Sequence, residues 1–173
     1  HADLDVETLD FSDAEGLLAG ERIAGQVVVD ATADASSRMP ARGRISLSAG
    51  QAYADPVFLD FGAHGAVLDF DGVLDTETAR YAATSFSLDH ADVVKAGGSA
   101  TLDFAGDTLL TEGRIRIDAL QLSNALPAYA QPFLVATSFK DVGGGGVIRG
   151  EVDIDAGLPT RAALVFHDVG FDS

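Results

Sequence analysis

The sequence predicts an all-β protein, an antiparallel meandering sheet with a duplicated strand set. Three observations predict it. Apolar and polar residues alternate with period two along most of the chain. Glycine-bearing breaks separate the alternating runs at spacings of about eight to fifteen residues. The stretch "GRISLSAGQ" at Gly43–Gln51 returns as "GRIRIDALQ" at Gly113–Gln121. Parallel strands would need crossovers of a dozen or more residues, usually helical, and the chain offers few places for them.

Taken in order, the strands declare one apolar phase each. In "GQVVVDATA" Val27, Val29 and Ala31 share a face, and in "GRISLS" Ile45 and Leu47 stand opposite to Arg44 and Ser46. "VLDFDGVLD" sets Leu68 and Phe70 against Asp69 and Asp71. "SFSLD" does the same with Phe86 and Leu88, and "TLDFAG" with Leu102 and Phe104. "GRIRID", "GEVDID" and "AALVFHD" follow with Ile115 and Ile117, Val152 and Ile154, and Leu164 and Phe166. The breaks are read at "KAGGS", "DFAGD", "GGGG" and "DAGLP", the four successive glycines as a flexible hairpin turn. "TETARYAATS" at 76–85 and "NALPAYAQP" at 124–132 have room for a helical turn or two, which Pro127 and Pro132 limit in the second.

The repeat reaches beyond its opening motif, since "YADPVFL" at Tyr53–Leu59 returns as "YAQPFLV" at Tyr129–Val135. One domain over 1–173 is expected, with an internal repeat at about 43–89 and 113–168. Duplicated strands with one apolar face describe either a β-sandwich or an elongated sheet curled around its own apolar surface, and the pattern alone leaves both open.

Composition narrows the partners. Against 27 acidic residues stand 11 basic ones, a formal net charge of −16, so a phosphate backbone would be repelled and nucleic acid is not an expected partner. The chain has no cysteine, which removes thiol chemistry and disulfides. No run approaches the roughly 20 apolar residues of a membrane-spanning helix. Because it begins at His1 with no leader, the chain is expected to be a processed form or a piece of a larger protein.

Catalytic patterns are sparse. Asp3 and Asp5, Asp69 and Asp71, and Asp153 and Asp155 place carboxylates about 7 Å apart on one strand face. Glycosidase pairs need a carboxyl raised by burial, and these lie opposite the apolar phase, which predicts a solvated face. "DFDG" lacks the spacing and the terminal Glu of a calcium loop. His1, His64, His90 and His167 are scattered singly, and "GGGGVIRG" lacks the Lys and Ser/Thr of a phosphate loop. No catalytic residue, metal site or cofactor is expected, and the chain is not expected to be an enzyme.

In "GLLAGERIAGQVVVDATA" at Gly16–Ala33, "VLDFDGVLD" at Val67–Asp75 and "GRIRIDALQLSNALPAYAQPFL" at Gly113–Leu134, the sequence resembles the AsmA-like superfamily of bacterial envelope proteins, in its TamB-like and YdbH-like branches. The resemblance implies a taco-like open groove, apolar inside, in a periplasmic protein that binds or conducts phospholipid or another amphiphile, with other envelope proteins as further partners. Carried onto this chain, the groove lining would be Val27, Val29, Ile45, Leu47, Leu68, Phe70, Phe86, Leu88, Leu102, Phe104, Ile115, Ile117, Val152, Ile154, Leu164 and Phe166. The alternative is a closed all-β structural or protein-binding domain of an envelope complex.

Overall fold

The computed structural model describes residues 1–12, 18–33, 37–54, 57–106, 108–130 and 143–172. Its strands are β1 (Ala2–Ser12), β2 (Leu18–Ala31), β3 (Arg38–Ala54), β4 (Val57–Asp60), β5 (Ala66–Asp75), β6 (Arg80–His90), β7 (Val94–Asp103), β8 (Leu110–Gln121), β9 (Gly143–Asp155) and β10 (Leu158–Asp172). They form one antiparallel sheet in the order β1-β2-β3-β5-β6-β7-β8-β9-β10, with β4 on β3. Among the described residues the sheet is open: it neither closes into a barrel nor meets a second sheet, so the sandwich alternative is set aside. Strand makes up 78% of the structure and helix 6%, which places the chain firmly in the all-β class.

Local chemistry explains the sharp turns. At the β5–β6 turn the Asp75 carboxylate accepts the Glu77 and Thr78 N–H groups, both at 3.0 Å. After β7 the Asp103 carboxylate accepts those of Ala105 and Gly106 at 3.1 and 3.0 Å, and takes Arg80 Nε at 2.8 Å. Such Asx turns satisfy backbone donors just where the ladder stops.

Several turn expectations need correction. Residues 76–79 form a plain turn rather than a helical one, and 80–85 belong to β6. The glycines of "KAGGS" lie inside β7. Gly98 has φ 152°, and a Cβ there would overlap the Arg114 carbonyl of β8, so glycine answers a close strand approach and not a chain reversal. The four glycines at 143–146 open β9, where Gly144 pairs with Phe171 and Gly145 with Gly170. A Cβ on Gly144 would stand 2.7 Å from Leu126 Cδ1, so the missing side chain lets a helical segment settle on the strand. That segment is α1 (Leu122–Ala125), which continues as a π turn over Leu126–Ala130; it starts two residues before the second stretch where a helical turn was expected and overlaps it from Asn124 to Ala130. Pro132 lies outside the described residues.

One end of the sheet is covered. β3 is longer than its partner β5: residues 38–47 pair with β5, and Gln51–Ala54 pair with β4. From β4 the chain returns to β5 through Phe61, which is buried with Ile23 and Ala66 against Leu47, Ala52 and Leu59. After β8 the helical segment turns back in the same way and buries Ala125 and Ala128 with Val93, against Leu120 and Tyr129. The π turn then packs on β4, so the extensions that follow the two copies of the "GRI" motif meet. We call this structure the cap.

Candidate functional site

The apolar phase of each strand is placed in register with that of its neighbours, so the sheet carries apolar rows running across the strands. One row reads Leu4, Val27, Ile45, Leu68, Leu88, Ala96, Ile117, Gly150, Leu164 from β1 to β10. The next reads Ala2, Val29, Gly43, Phe70, Phe86, Gly98, Ile115, Val152, Ala162. Both cross all nine strands of the path without a polar residue. Ile154 belongs to a third row, of mostly small residues, with Ala41, Gly72, Ala83, Ala100 and Gly113.

Fifteen of the sixteen expected lining residues therefore share one face: Leu47 and Phe166 fall in the row nearest the cap, and Leu102 pairs with Tyr81 and Leu110 toward the other end. Phe104 is the exception. The Asx turn at Asp103 ends β7 before it, and Phe104 is left on a bend, 59% exposed. From Val27 to Ile154 the other lining residues are half-buried, while Leu164 and Phe166 on the outermost strand are exposed. A face covered by a second layer would bury such side chains below a tenth of their surface, as Phe61 and Val93 are under the cap.

Beyond the reach of the alternation pattern, Tyr81 crosses this face. Its ring meets Phe70 edge-on at 5.8 Å, and its hydroxyl donates to the Ala41 carbonyl at 2.9 Å, bridging β6 to β3 over the side-chain-free Gly72. Burial pushes its phenol up to about 12, so it remains a donor through the physiological range.

The opposite face is polar and cross-linked. Arg44 grips Asp69 with two bonds, Nε to Oδ1 at 2.6 Å and Nη2 to Oδ2 at 3.0 Å, and Arg114 reaches Asp153 at 3.2 Å. Both arginines follow the glycine of the repeated motif and both carboxylates are their cross-strand partners, so the motif carries its ion pair twice. The Arg44 hydrogen bond holds the Asp69 carboxyl below its ordinary value, and Asp71 is exposed. An open depression of about 710 Å³ lies on this face, lined by Gln26, Asp30, Arg42, Arg44, Asp69 and Ser87 among others. The Asp69 carboxyl, paired with Arg44, is thus held down, the opposite of the raised carboxyl that acid–base work on a glycoside requires.

Where the apolar face meets the cap it contains one polar side chain. The row there reads Val6, Gly25, Leu47, Ala66, His90, Val94, Leu120, Ile148, Phe166. His90 is 1% exposed, touches the rings of Phe61, His64 and Tyr129, and shares a 2.7 Å hydrogen bond with the Tyr129 hydroxyl through Nδ1. A single histidine in an alternating strand gives no local signal of this surrounding. Among the described residues no group of three or more His, Cys, Asp or Glu is placed to hold a metal ion, and no helix is long and apolar enough to cross a membrane. No protein-family model, curated protein or solved structure matches the chain.

Proposed function

We propose that this chain is a non-enzymatic module that binds an amphiphile, phospholipid or a relative of it, and lets the acyl chains move along the apolar face. The observation that carries the reading is the pair of uninterrupted apolar rows left half-exposed by a single open sheet. Each buried methylene contributes about 0.8 kcal/mol, so ten supply roughly 8 kcal/mol gross, from which the cost of ordering the chain is subtracted. At about 4.8 Å per strand spacing a nine-strand row is roughly 38 Å long, against roughly 15 Å of hydrocarbon in one bilayer leaflet. An acyl chain laid along such a row has several near-equivalent positions, which favours sliding over trapping. The acidic surface, with a net charge of −16, keeps the module from adsorbing to anionic bilayers while the apolar face is loaded. The likeness to AsmA-like envelope proteins supports the same reading and adds the periplasm as the compartment.

A second reading is recognition of another envelope protein, and it draws on β10, where Val165 and Phe166 are 54% and 58% exposed. One experiment separates the two. The purified chain is incubated with vesicles containing a fluorescent phospholipid, recovered, and weighed by native mass spectrometry. Adducts of phospholipid mass are expected for the parent and for Arg116→Asp, on the polar face. They are expected to be lost in Ile117→Asp, which sets a charge in the middle of the first row. Folded parent protein that carries no lipid would sink the amphiphile reading and favour the second.

A further inference from the structure

His90 is an expensive residue to bury. Its neutral ring has one nitrogen tied to Tyr129, while the other, Nε2, is buried without a well-formed hydrogen bond, with only the His64 and Asp60 backbone drawing on it. An unsatisfied buried polar atom costs stability, and an apolar side chain at this point of the row would avoid that cost. The ring also sits where the parts of the cap converge. Phe61 and His64 come from the β4–β5 connection, Tyr129 from the π turn, and Ala66 and Val94 are its partners in the sheet.

We propose that His90 is an acid-sensitive latch, and that its protonation releases the β4–β5 connection and the π turn from the end of the sheet. The chemistry follows from the contacts. In the neutral ring Nδ1 can accept from Tyr129 or donate to it. Once protonated both nitrogens must donate, and the imidazolium is then a buried charge whose only help at Nε2 is the backbone of His64 and Asp60, a smaller effect than the desolvation that opposes the charge. The groups that face it are few among the described residues. From β4 comes the Asp60 carboxylate, which favours the cation. From the connection comes His64, whose own protonation opposes it. From the π turn comes the Tyr129 hydroxyl, which burial holds neutral. Asp60 is already occupied, accepting from Gly62 N–H at 2.7 Å and Gln51 Nε2 at 3.1 Å. Burial lowers the His90 pKa below the ordinary histidine value, and the pull of the His64 and Asp60 backbone offsets this only in part.

A histidine held below its ordinary value keeps the closed state favoured at pH above about 6.5 and loses that contribution as pH falls toward the folded value. For a one-proton latch the opening equilibrium rises up to tenfold per pH unit across that window. This inference needs no ligand, so it stands or falls apart from the amphiphile reading. Where both hold, acid opens the covered end of the rows.

The test is hydrogen exchange of the full chain at pH 7.5 and pH 5.0, corrected for intrinsic rates, with peptides from 57–66 and 122–130 compared against 113–117 in β8. Expected is a loss of protection at pH 5.0 in the two cap peptides by tenfold or more, with the β8 peptide unchanged. His90→Phe keeps a ring and cannot protonate, so its cap peptides are expected to stay protected at both pH values, whereas His64→Asn should respond like the parent. If His90→Phe loses cap protection at pH 5.0 as the parent does, or the parent loses none, the proposal is overturned. Should His90→Phe fold poorly, an NMR titration of the parent's imidazoles decides. A His90 ring that titrates below the ordinary value, in step with cap resonances, supports the latch. Titration at or above that value with an unmoved cap overturns it.

Discussion

The two ends of the sheet are held by different physics. At the capped end Phe61, Val93, Ala125 and Ala128 are buried, as is His90, and they come from segments that lie far apart in the chain. At the other end the chain reverses in short uncovered turns, and carboxylates hold them: Asp75 caps 77–78, while Asp103 caps 105–106 and binds Arg80 at 2.7 Å. One end rests on desolvation and the other on charge and local hydrogen bonds. The first should therefore respond to substitutions that bring water in and, through His90, to mild acid, and the second to the stronger acid that protonates its carboxylates.

The largest expected effect breaks the capped end. Val93 is 1% exposed, its carbonyl accepts Gln121 N–H at 2.9 Å, and its side chain is packed with Ala125 and Ala128 of the helical segment. Val93→Asp should cost about 3 kcal/mol or more, since a carboxylate there is desolvated without a partner. At the open end Leu158 is 68% exposed, and Leu158→Ser should stay within about 0.5 kcal/mol. Urea midpoints of the two variants measure the contrast, and equal shifts would mean that the cap contributes nothing to global stability.

A middle-sized effect sharpens the charged end. Arg80 and the N–H groups of Ala105 and Gly106 hold the Asp103 carboxyl below its ordinary value, Arg80 most strongly. A depressed carboxyl contributes stability that is fully present above the unfolded value, about 3.9, and lost as pH falls through the folded value. Asp103→Asn should therefore be less stable than the parent at pH 7, and the gap should close as pH drops below about 4. Thermal midpoints from pH 7 to pH 2 test this, and a gap that persists unchanged at low pH would assign the effect to packing instead of charge.

How far the sequence reveals these ends follows from the range of the forces. Alternation is local, so Leu68 beside Asp69 or Ile115 beside Arg114 already declares which way each strand faces, and antiparallel pairing then lines up the rows. Glycine is ambiguous at that range. In "DAGLP" it does turn the chain, with Gly157 at φ 77°, while Gly98 and Gly150 sit inside strands with positive φ, where a Cβ would overlap a neighbouring carbonyl. A local reading treats both kinds as breaks. The cap is less legible still. "YADPVFL" and "YAQPFLV" stand out as parts of the repeat, yet that β4 and the π turn meet depends on sheet order, which period-two patterns do not encode. Phe104 shows the converse error, because alternation continues through "TLDFAG" while the Asp103 carboxylate has already stopped the strand.

The smallest effect also has the most informative sign. On the polar face, β8 and β9 set Arg114 opposite Asp153, an attractive pair 3.2 Å apart, and two residues nearer the open end they set Glu112 opposite Asp155. Both of these carboxylates are exposed, and among the described residues no ion pair reaches either one. Like charges facing each other across a ladder are destabilising by a few tenths of a kcal/mol. Asp155→Asn should then raise the thermal midpoint slightly, whereas Asp153→Asn, which strips Arg114 of its partner, should lower it or leave it level. Salt discriminates charge from any packing change. At about 1 M ionic strength the screening length falls to roughly 3 Å, and the gain from Asp155→Asn should vanish. A gain that survives high salt would mean that the amide makes a new hydrogen bond, and a loss at low salt would mean that Asp155 caps the 156–157 turn as Asp103 caps 105–106. In that case all three of these turns at the open end would depend on their aspartates, and the contrast between the ends would be sharper than the cross-strand register implies.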